Sequence, residues 1–336
     1  MSLTSATIIF ALLFFGPLLL HVIERNLELY FLVLGVAATV LCGGPYTEPA
    51  IKALSEPLPI TAAVVGFALL FRHTREPLDR GFERLRKRLP RPLLTAVSIF
   101  VLGMVASAIT AIVAALVLVE MIGLLRVNAD ARAKVAVAGC FALGLGAALT
   151  PIGEPLSTLA SHGLNLPFFG LFLILGPYVV PGVAVAAIAA GFWSRGEGQV
   201  QCVDRHIRET PRQALIKGAK VFVFIAGLVL VSEAFAPLAS RYVGGLGKTA
   251  LYWMNVVSAV LDNATLVALE VHGISAPRAR EALLSLLISG GLLIPGNIPN
   301  IIVAGRLRIT SARWARAALP IGLAMLVACF AALSLR

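Results

Sequence analysis

Charged residues are scarce in this sequence, and their scarcity decides the class of protein. Asp, Glu, Lys and Arg make up 13% of the 336 residues, whereas a soluble domain carries about 25%. Hydrophobic residues make up 59%. They form continuous runs rich in Leu, Ala and Val, without the alternation of barrel strands. The composition excludes a soluble domain and predicts an all-α polytopic membrane protein.

Sequence features of an enzyme are missing as well. The chain has four cysteines, and none of them forms a CxxC motif. Most of them lie in apolar runs, which is typical of small buried side chains and not of metal ligands. No nucleophile–base pair and no cluster of His and Cys is recognisable in the sequence. We therefore expect neither an enzymatic activity nor a cofactor.

Basic residues are the exception to this scarcity, and the formal net charge is +11. They concentrate in two segments, residues 72–91 and 193–220. Cytoplasmic loops of membrane proteins collect Lys and Arg, so topology explains the charge better than nucleic-acid binding does. The alternative for residues 72–91 is a contact with anionic lipid.

The predicted topology has both basic segments in the cytoplasm and the N-terminus outside. Residues 1–5 contain no Lys or Arg. Residues 6–23 lack a positive n-region and a cleavage site, so we interpret them as a retained first helix and not as a signal peptide. The prediction is a multi-pass protein of the inner (plasma) membrane.

One polar stretch, residues 258–265, interrupts an apolar run that covers residues 250–271. The run is long enough to cross a bilayer. A carboxylate at the centre of a membrane costs on the order of 2.5–3.5 kcal/mol, so Asp262 needs compensation. The functional interpretation is an ion or proton site. The structural one is a hydrogen bond between helices, for which Ser258, Asn263 or Thr265 would suffice.

Similar interruptions recur in the same order in both halves of the chain. The first half has a helix break near residues 107–111 and a Pro/Gly-rich turn at 150–157. The second half has a break near 258–265 and a turn at 294–300. We predict a broken transmembrane helix in each half, and a re-entrant hairpin whose tip is the Pro/Gly turn.

These features divide the chain into N-terminal scaffold helices, a first repeat, a cytoplasmic basic loop and a second repeat, at residues 1–57, 58–192, 193–216 and 217–336. With both basic loops on the same side, the two repeats have opposite orientations. Inverted-topology repeats are typical of secondary transporters.

The same stretches resemble a known group of proteins. Residues 148–155 (Ala-Leu-Thr-Pro-Ile-Gly-Glu-Pro), 258–265 and 294–300 resemble motifs of the ion transporter superfamily. That group includes NhaD-type sodium/proton antiporters, arsenite permeases, and citrate and dicarboxylate carriers. The sequence is most similar to an uncharacterised family of predicted cation transporters. The resemblance implies two hairpins and two unwound helices around a central site, and often a homodimer. Glu154 replaces the small amide of dicarboxylate carriers, which argues against an anionic substrate.

The candidate site combines carboxylates with neutral oxygen ligands. Two carboxylates in a poorly solvated place share a proton that a cation can displace, which is the basis of cation/proton exchange. The predicted ligands of the transported cation are Asp262, Glu154 and Asn263. Further candidates at the breaks and turns are Ser258, Thr265, Thr150, Ser157, Asn297, Asn300, Ser107 and Thr110.

Some of these residues have structural alternatives. Thr150 and Ser157 can cap half-helices, and Asn297 and Asn300 can close a turn. Glu233, late in an apolar run, stays open as a proton-pathway candidate.

Two further carboxylates, Glu120 and Glu270, lie near predicted helix ends, where we expect solvation at the membrane interface. The predicted function is Na⁺ or Li⁺/proton antiport by alternating access, with lipid, the cation, protons and a second copy of the chain as partners. The alternative is a sodium-coupled carrier of a small anion or oxyacid, such as a carboxylate or arsenite. Carboxylates at the midplane favour a cation, although helix N-termini can bind an anion.

Overall fold

The computed structural model describes residues 26–44, 46–55, 89–125, 127–195, 211–242, 246–259, 263–270 and 275–335, and a few short pieces before residue 70. Four predicted features lie largely or wholly outside these residues. They are the first helix at 6–23, the basic segment at 72–91, the basic loop at 193–216, and Asp262.

Every regular element in these ranges is helical, as the composition predicts. The helices are α1 (Leu27–Cys42), α2 (Thr47–Ser55), α3 (Arg91–Ile109), α4 (Ala111–Leu124), α5 (Ala129–Ala147), α6 (Pro155–Gly163), α7 (Gly170–Trp193), α8 (Pro211–Tyr242), α9 (Lys248–Met254), α10 (Asn263–Glu270), α11 (Ala276–Gly290), α12 (Ile298–Leu307) and α13 (Ser311–Ser334), with short 3-10 helices at Asn255–Ala259 and Ile294–Gly296.

Within the described part of the chain, four helices are long and apolar enough to cross a membrane. They are α3, α7, the Pro211–Phe235 part of α8, and α13, with 19 to 25 residues each. A bilayer needs about 20 apolar residues in a helix. The structure therefore supports a multi-pass membrane protein.

The chain folds back on itself at Thr110, between α3 and α4. Thr110 has φ 71° and ψ 146°, which no helix allows, and its hydroxyl accepts a hydrogen bond from the Val113 amide at the start of α4. Such a positive φ is unusual for a β-branched residue. The chain leaves this point in a new direction, and α3 and α4 pack against each other. We call this pair the first fold-back.

Contacts with α5 show the directions of α3 and α4, the two limbs of the first fold-back. Along α3, Gly103 approaches Gly146, and the Ser107 carbonyl accepts a hydrogen bond of 2.6 Å from the Thr150 hydroxyl, so α3 runs parallel to α5. Along α4, the Ala111 amide donates to the Gly153 carbonyl, whereas Leu118 lies against Gly139. Helix α4 is therefore antiparallel to α5, and to α3.

The second half repeats this arrangement between α9 and α10, which we call the second fold-back. The Ser285 hydroxyl donates to the Tyr252 carbonyl. The Ser258 hydroxyl donates to the Leu286 carbonyl at 3.2 Å. These bonds hold α9 and its 3-10 extension beside α11. Asn255, before the reversal, is hydrogen bonded to Glu270 at the far end of α10.

The Pro/Gly-rich segments lie elsewhere and behave differently. Residues 148–154 join α5 to α6, and residues 291–297 join α11 to α12; we call them the first and second helix breaks. Within the continuous described stretches 127–195 and 275–335, α6 does not pack along α5 and α12 does not pack along α11. Each break therefore separates two helices without forming a hairpin.

This arrangement differs from the sequence-based assignment. The expected broken helices near 107–111 and 258–265 are the places where the chain folds back, and the expected hairpin tips at 150–157 and 294–300 are the breaks. The physical reason lies in the prolines. Pro155 and Pro299 occupy the first turn of α6 and α12, a position where proline starts a helix. They restart a helix beyond the break and do not reverse the chain.

The two breaks match position by position at one constant spacing along the chain. Glu154 and Asn297 are the N-cap residues of α6 and α12, with φ −158°, ψ 161° and φ −154°, ψ 144°. Asn165 and Arg308, after those helices, both adopt left-handed conformations with φ 51° and 52°. Equivalent backbone hydrogen bonds or prolines recur at Gly153 and Gly296, Ser157 and Asn300, Leu166 and Ile309, and Pro177 and Pro320.

Helices of the two halves also pack against each other. Helix α6 of the first half packs on α10 of the second, and α12 of the second packs on α4 of the first. Within each half, α5 packs on α7 and α11 on α13. The four short helices α4, α6, α10 and α12 thus form one part of the junction between the halves, and the long helix α5 adds contacts with α11, α12 and α13.

The N-terminal helices pack on α8, outside this junction. Helices α1 and α2 both contact α8. The Lys52 ammonium of α2 lies 3.0 Å from the Glu233 carboxylate of α8 and 3.1 Å from Glu48 one turn earlier. Glu233 therefore has an ion-pair partner, which the sequence did not identify.

Candidate functional site

A cavity lies where the two fold-backs meet the two helix breaks. The space inside it that a water-sized molecule can occupy is about 40 Å³. Its polar wall consists of Thr110, Glu154, Asn263 and Asn297, and its apolar wall includes Phe224 of α8. Each half thus contributes one residue from its fold-back and one from its break. Four residues that the sequence singled out separately come together at one place.

Four helices begin at this cavity. Thr110, Glu154 and Asn297 are the N-caps of α4, α6 and α12, and Asn263 is the first residue of α10. A helix N-terminus carries roughly +0.5 charge, so four of them supply about +2. Glu154 is the carboxylate among the described lining residues, and it offsets part of this charge when ionised.

Glu154 is buried, with 4% of its surface exposed. Its backbone is fixed by Ser157, whose hydroxyl accepts a bond of 3.2 Å from the Glu154 amide and donates one of 2.7 Å to the Glu154 carbonyl. This arrangement caps α6 and aligns Glu154 at the cavity wall. Ser157 thus acts on the backbone of Glu154, and its hydroxyl is already used.

Asn263 is buried opposite the second break, with 2% of its surface exposed. Its Nδ2 has no hydrogen-bond partner among the residues that the structure describes. Gly290 lies beside it, and a Cβ at that position would lie 3.0 Å from the Gly296 carbonyl oxygen and 3.3 Å from Asn263 Nδ2, which is tighter than an ordinary contact. A buried amide without a partner is costly, so this N–H group is available to a ligand with an acceptor atom.

The other candidate side chains make bonds to the backbone. The Thr150 hydroxyl reaches the Ser107 carbonyl, and the Ser258 hydroxyl reaches the Leu286 carbonyl. Asn300 Nδ2 donates to the Gly290 carbonyl at 2.8 Å and to the Leu293 carbonyl at 3.0 Å, which closes the second break. The Thr265 side chain, like Asp262, lies outside the described residues.

One expectation is wrong: Glu270 is not solvated. It is 2% exposed, and its Oε2 accepts a hydrogen bond of 3.0 Å from Asn255 Nδ2. Asn255 is 1% exposed and was not among the predicted site residues. The sequence did indicate Asn255 as a candidate, since it is a polar residue within an apolar run. Only the second fold-back, however, brings it to Glu270.

The chain belongs to a family described as "Protein of unknown function (DUF1646)", whose model matches residues 3–335. The expectation of an uncharacterised family is thereby confirmed over nearly the whole chain. A comparison with curated proteins found no match.

Proposed function

We propose that this member of an uncharacterised family is a secondary transporter that exchanges Na⁺ or Li⁺ for protons, with the cavity between the four short helices as its binding site. The observation that carries the proposal is the buried carboxylate of Glu154 on the wall of a cavity built from both halves. An ionisable side chain on the wall of a cavity within a membrane protein is a candidate ligand for a cation or a proton.

The architecture supports transport. The position-by-position match between the breaks and the exchanged packing of α6 on α10 and α12 on α4 are what two related halves would produce. In this proposal the halves have inverted topology, and the fold-backs are re-entrant hairpins. Non-helical backbone at membrane depth survives where it lines a cavity or is buried in protein. Rocking of one half against the other would expose the cavity to each side in turn.

The exchange chemistry rests on two carboxylates. Asp262 directly precedes Asn263 in sequence, which lines the cavity opposite Glu154. Oxygens of Thr110, Asn263 and Asn297 would complete the shell of a hard cation. Two carboxylates close together hold one proton between them, and an arriving cation displaces it.

The test is transport by the purified protein in proteoliposomes that contain a pH indicator. Na⁺, Li⁺, K⁺ and Ca²⁺ are added in turn under an imposed proton gradient. The proposal predicts alkalinisation or acidification of the lumen with Na⁺ or Li⁺ and not in protein-free liposomes. A lumen pH that responds to none of the four cations overturns it.

A second candidate function is a sodium-coupled carrier of a small anion or oxyacid. The four helix N-termini at the cavity and the unpartnered Asn263 amide favour it, because both attract negatively charged oxygen. Uptake of labelled succinate, citrate or arsenite driven by a sodium gradient would support this candidate. Proton movement with Na⁺ alone supports the first.

The membrane topology belongs to the same proposal. In this topology the protein lies in the inner (plasma) membrane, with its N-terminus outside and both basic loops in the cytoplasm. Two copies of the chain form a homodimer. Single cysteines at Arg84 and Arg205 are expected to be labelled from the same side of the membrane. Labelling from opposite sides contradicts the inverted repeat, and crosslinking in the membrane tests the dimer.

A further inference from the structure

Glu270 and Asn255 form a buried polar pair that is separate from the cavity. Glu270 ends α10, and Asn255 begins the 3-10 helix before the reversal, so their hydrogen bond joins the two limbs of the second fold-back. Asn255 Nδ2 also donates to the Ala282 carbonyl of α11 at 3.3 Å. The pair therefore fixes both limbs against α11.

The surroundings of Glu270 do not suit an ionised carboxylate. Helix α10 packs against α6, α8, α11 and the 3-10 helix. Among the side chains that the structure describes, the charged or titratable groups on or beside these elements are Glu154, His162, Arg212, Lys220, Glu233, Arg278, Arg280 and Glu281; Lys217, Arg241, Asp262 and His272 lie outside the described side chains.

Among the described residues, none of these groups forms an ion pair with Glu270. Lys220 pairs with Glu28, Glu233 with Lys52, and Glu281 with Lys248. The Arg280 guanidinium lies over the ring of Tyr178. A buried carboxylate without a cationic partner takes up a proton more readily than it stays charged.

The Asn255 amide offers what a protonated carboxyl group requires. Its Nδ2 is used on Glu270 and Ala282, while its buried Oδ1 has no hydrogen-bond partner among the described residues. A carboxyl O–H group is a donor, and a carboxylate is not. A proton on Glu270 would therefore give Oδ1 the donor that it lacks.

The pair is present in one half only. Before the two fold-backs, the sequence Ser107-Ala108-Ile109 matches Ser258-Ala259-Val260. This match places Met104 at the position of Asn255, and a methionine side chain cannot donate this hydrogen bond. Glu120, which corresponds to Glu270 after a shift of one residue in this match, is only partly buried. Because the first half folds without the pair, the fold itself does not require it.

We propose that Glu270 is a proton-binding site, distinct from the cavity, which carries a proton that the transporter exchanges. This inference rests on the proposed function. Helix α10 connects Glu270 to the cavity, since Asn263 at its first position lines the cavity and Glu270 is its last residue. Eight residues of helix span about 12 Å and move as one body. A ligand that displaces α10 at Asn263 would part Glu270 from Asn255 and release the proton.

The test uses the purified full chain and the variants Glu270→Gln and Glu120→Gln. Gln keeps the size of the side chain and an amide that can bond to Asn255. Infrared spectra at neutral pH are expected to show a neutral carboxyl band that Glu270→Gln loses and Glu120→Gln keeps. Equal band intensity in all three proteins overturns the proton site, whether or not any of them transports.

Transport separates this inference from the proposed function. In proteoliposomes, Glu270→Gln is expected to move fewer protons per cation than the unchanged protein, and Glu120→Gln the same number. A Glu270→Gln variant with unchanged stoichiometry and pH profile overturns the inference while exchange itself stands. If the unchanged protein moves no protons, the proposed function fails, and with it the role of Glu270 in exchange.

Discussion

Glu154 and Asn297 occupy the same position in the two halves, yet one is an acid and the other an amide. Both are N-caps with extended backbones, and both line the cavity. The two halves therefore match in backbone and differ in charge. The cavity is therefore chemically asymmetric, although the backbones of these two N-caps have the same conformation.

Replacement of Glu154 by Gln is expected to change how protons compete with the cation. When one proton competes, cation affinity falls about tenfold for each unit of decreasing pH, and it falls more steeply with two. Glu154→Gln should make this dependence shallower, so that cation binding persists to more acidic pH. Transport against pH measures the slope.

The matched control for that experiment is Glu281→Gln. Glu281 lies near Lys248 at 3.5 Å, away from the cavity lining. Its replacement should leave the slope unchanged. A Glu154→Gln variant that is less stable but has the original pH profile would mean that Glu154 only caps α6.

Replacement of Asp262 by Asn is expected to abolish exchange, because it keeps the size of the side chain and removes its charge. The purified variant should remain monodisperse with a similar melting temperature. The control is Asp130→Asn, which removes an exposed carboxylate that pairs with Lys134 on the surface. Exchange by Asp262→Asn at the rate of the control would remove Asp262 from the site.

Replacement of Gly146 by Ala should destabilise the protein. A Cβ on Gly146 would lie 1.9 Å from the Gly103 carbonyl oxygen, so α3 and α5 would have to separate beside the first break. Overpacking of this kind costs about 1–3 kcal/mol. Gly305→Ala is the control, because no atom lies within 4 Å of its Cβ position and a helical Gly→Ala change gains about 0.5–1 kcal/mol. In detergent, the melting temperature of Gly146→Ala should be lower than that of the unchanged protein, and the melting temperature of Gly305→Ala should not be lower.

The Lys52–Glu233 pair is expected to stabilise the protein without a role in exchange. Its side chains are 27% and 17% exposed, so its contribution lies between the ~1 kcal/mol of a surface pair and the ~3 kcal/mol of a buried one. Lys52→Met should lower the melting temperature more than Lys134→Met, which breaks an exposed pair. Loss of exchange in Lys52→Met with unchanged stability would instead restore Glu233 as a proton-pathway residue.

The pH dependence of this pair follows from Lys52, which lies on the short helix α2. Burial lowers the pKa of Lys52, but the hydrogen bonds to Glu233 and Glu48 outweigh it and raise the pKa above the ordinary 10.5. The ammonium form is the one that pairs. Its contribution is therefore complete below about pH 10.5 and disappears only as the pH rises through the raised pKa. On the alkaline side, the melting temperatures of Lys52→Met and the unchanged protein should converge only in strong alkali.

Composition and local polarity were sufficient to predict the class of the protein and several positions of the cavity. Thr110, Glu154, Asn263 and Asn297 stand out because each is polar within or beside an apolar run. The cost of polar groups in a membrane makes such residues visible without any knowledge of the fold.

The direction of the chain at each interruption could not be predicted in the same way. A helix break and a chain reversal use the same residue types, Gly, Pro, Thr and Asn. What separates them is the backbone angle of one residue, such as the φ of 71° at Thr110, and the packing of helices distant in sequence. The Asn255–Glu270 pair depends on that reversal and was missed for the same reason.

The packing of α6 on α10 and of α12 on α4 has a consequence for biosynthesis. Helix α6 is made and inserted well before its partner α10 leaves the ribosome, so the wall of the cavity that it forms has no counterpart until the second half arrives. Contacts between segments far apart in sequence form late and slowly. A chain truncated before α10 would therefore hold an incomplete wall of the cavity in the membrane. The cavity is complete only when α10 and α12 of the second half have packed against α6 and α4.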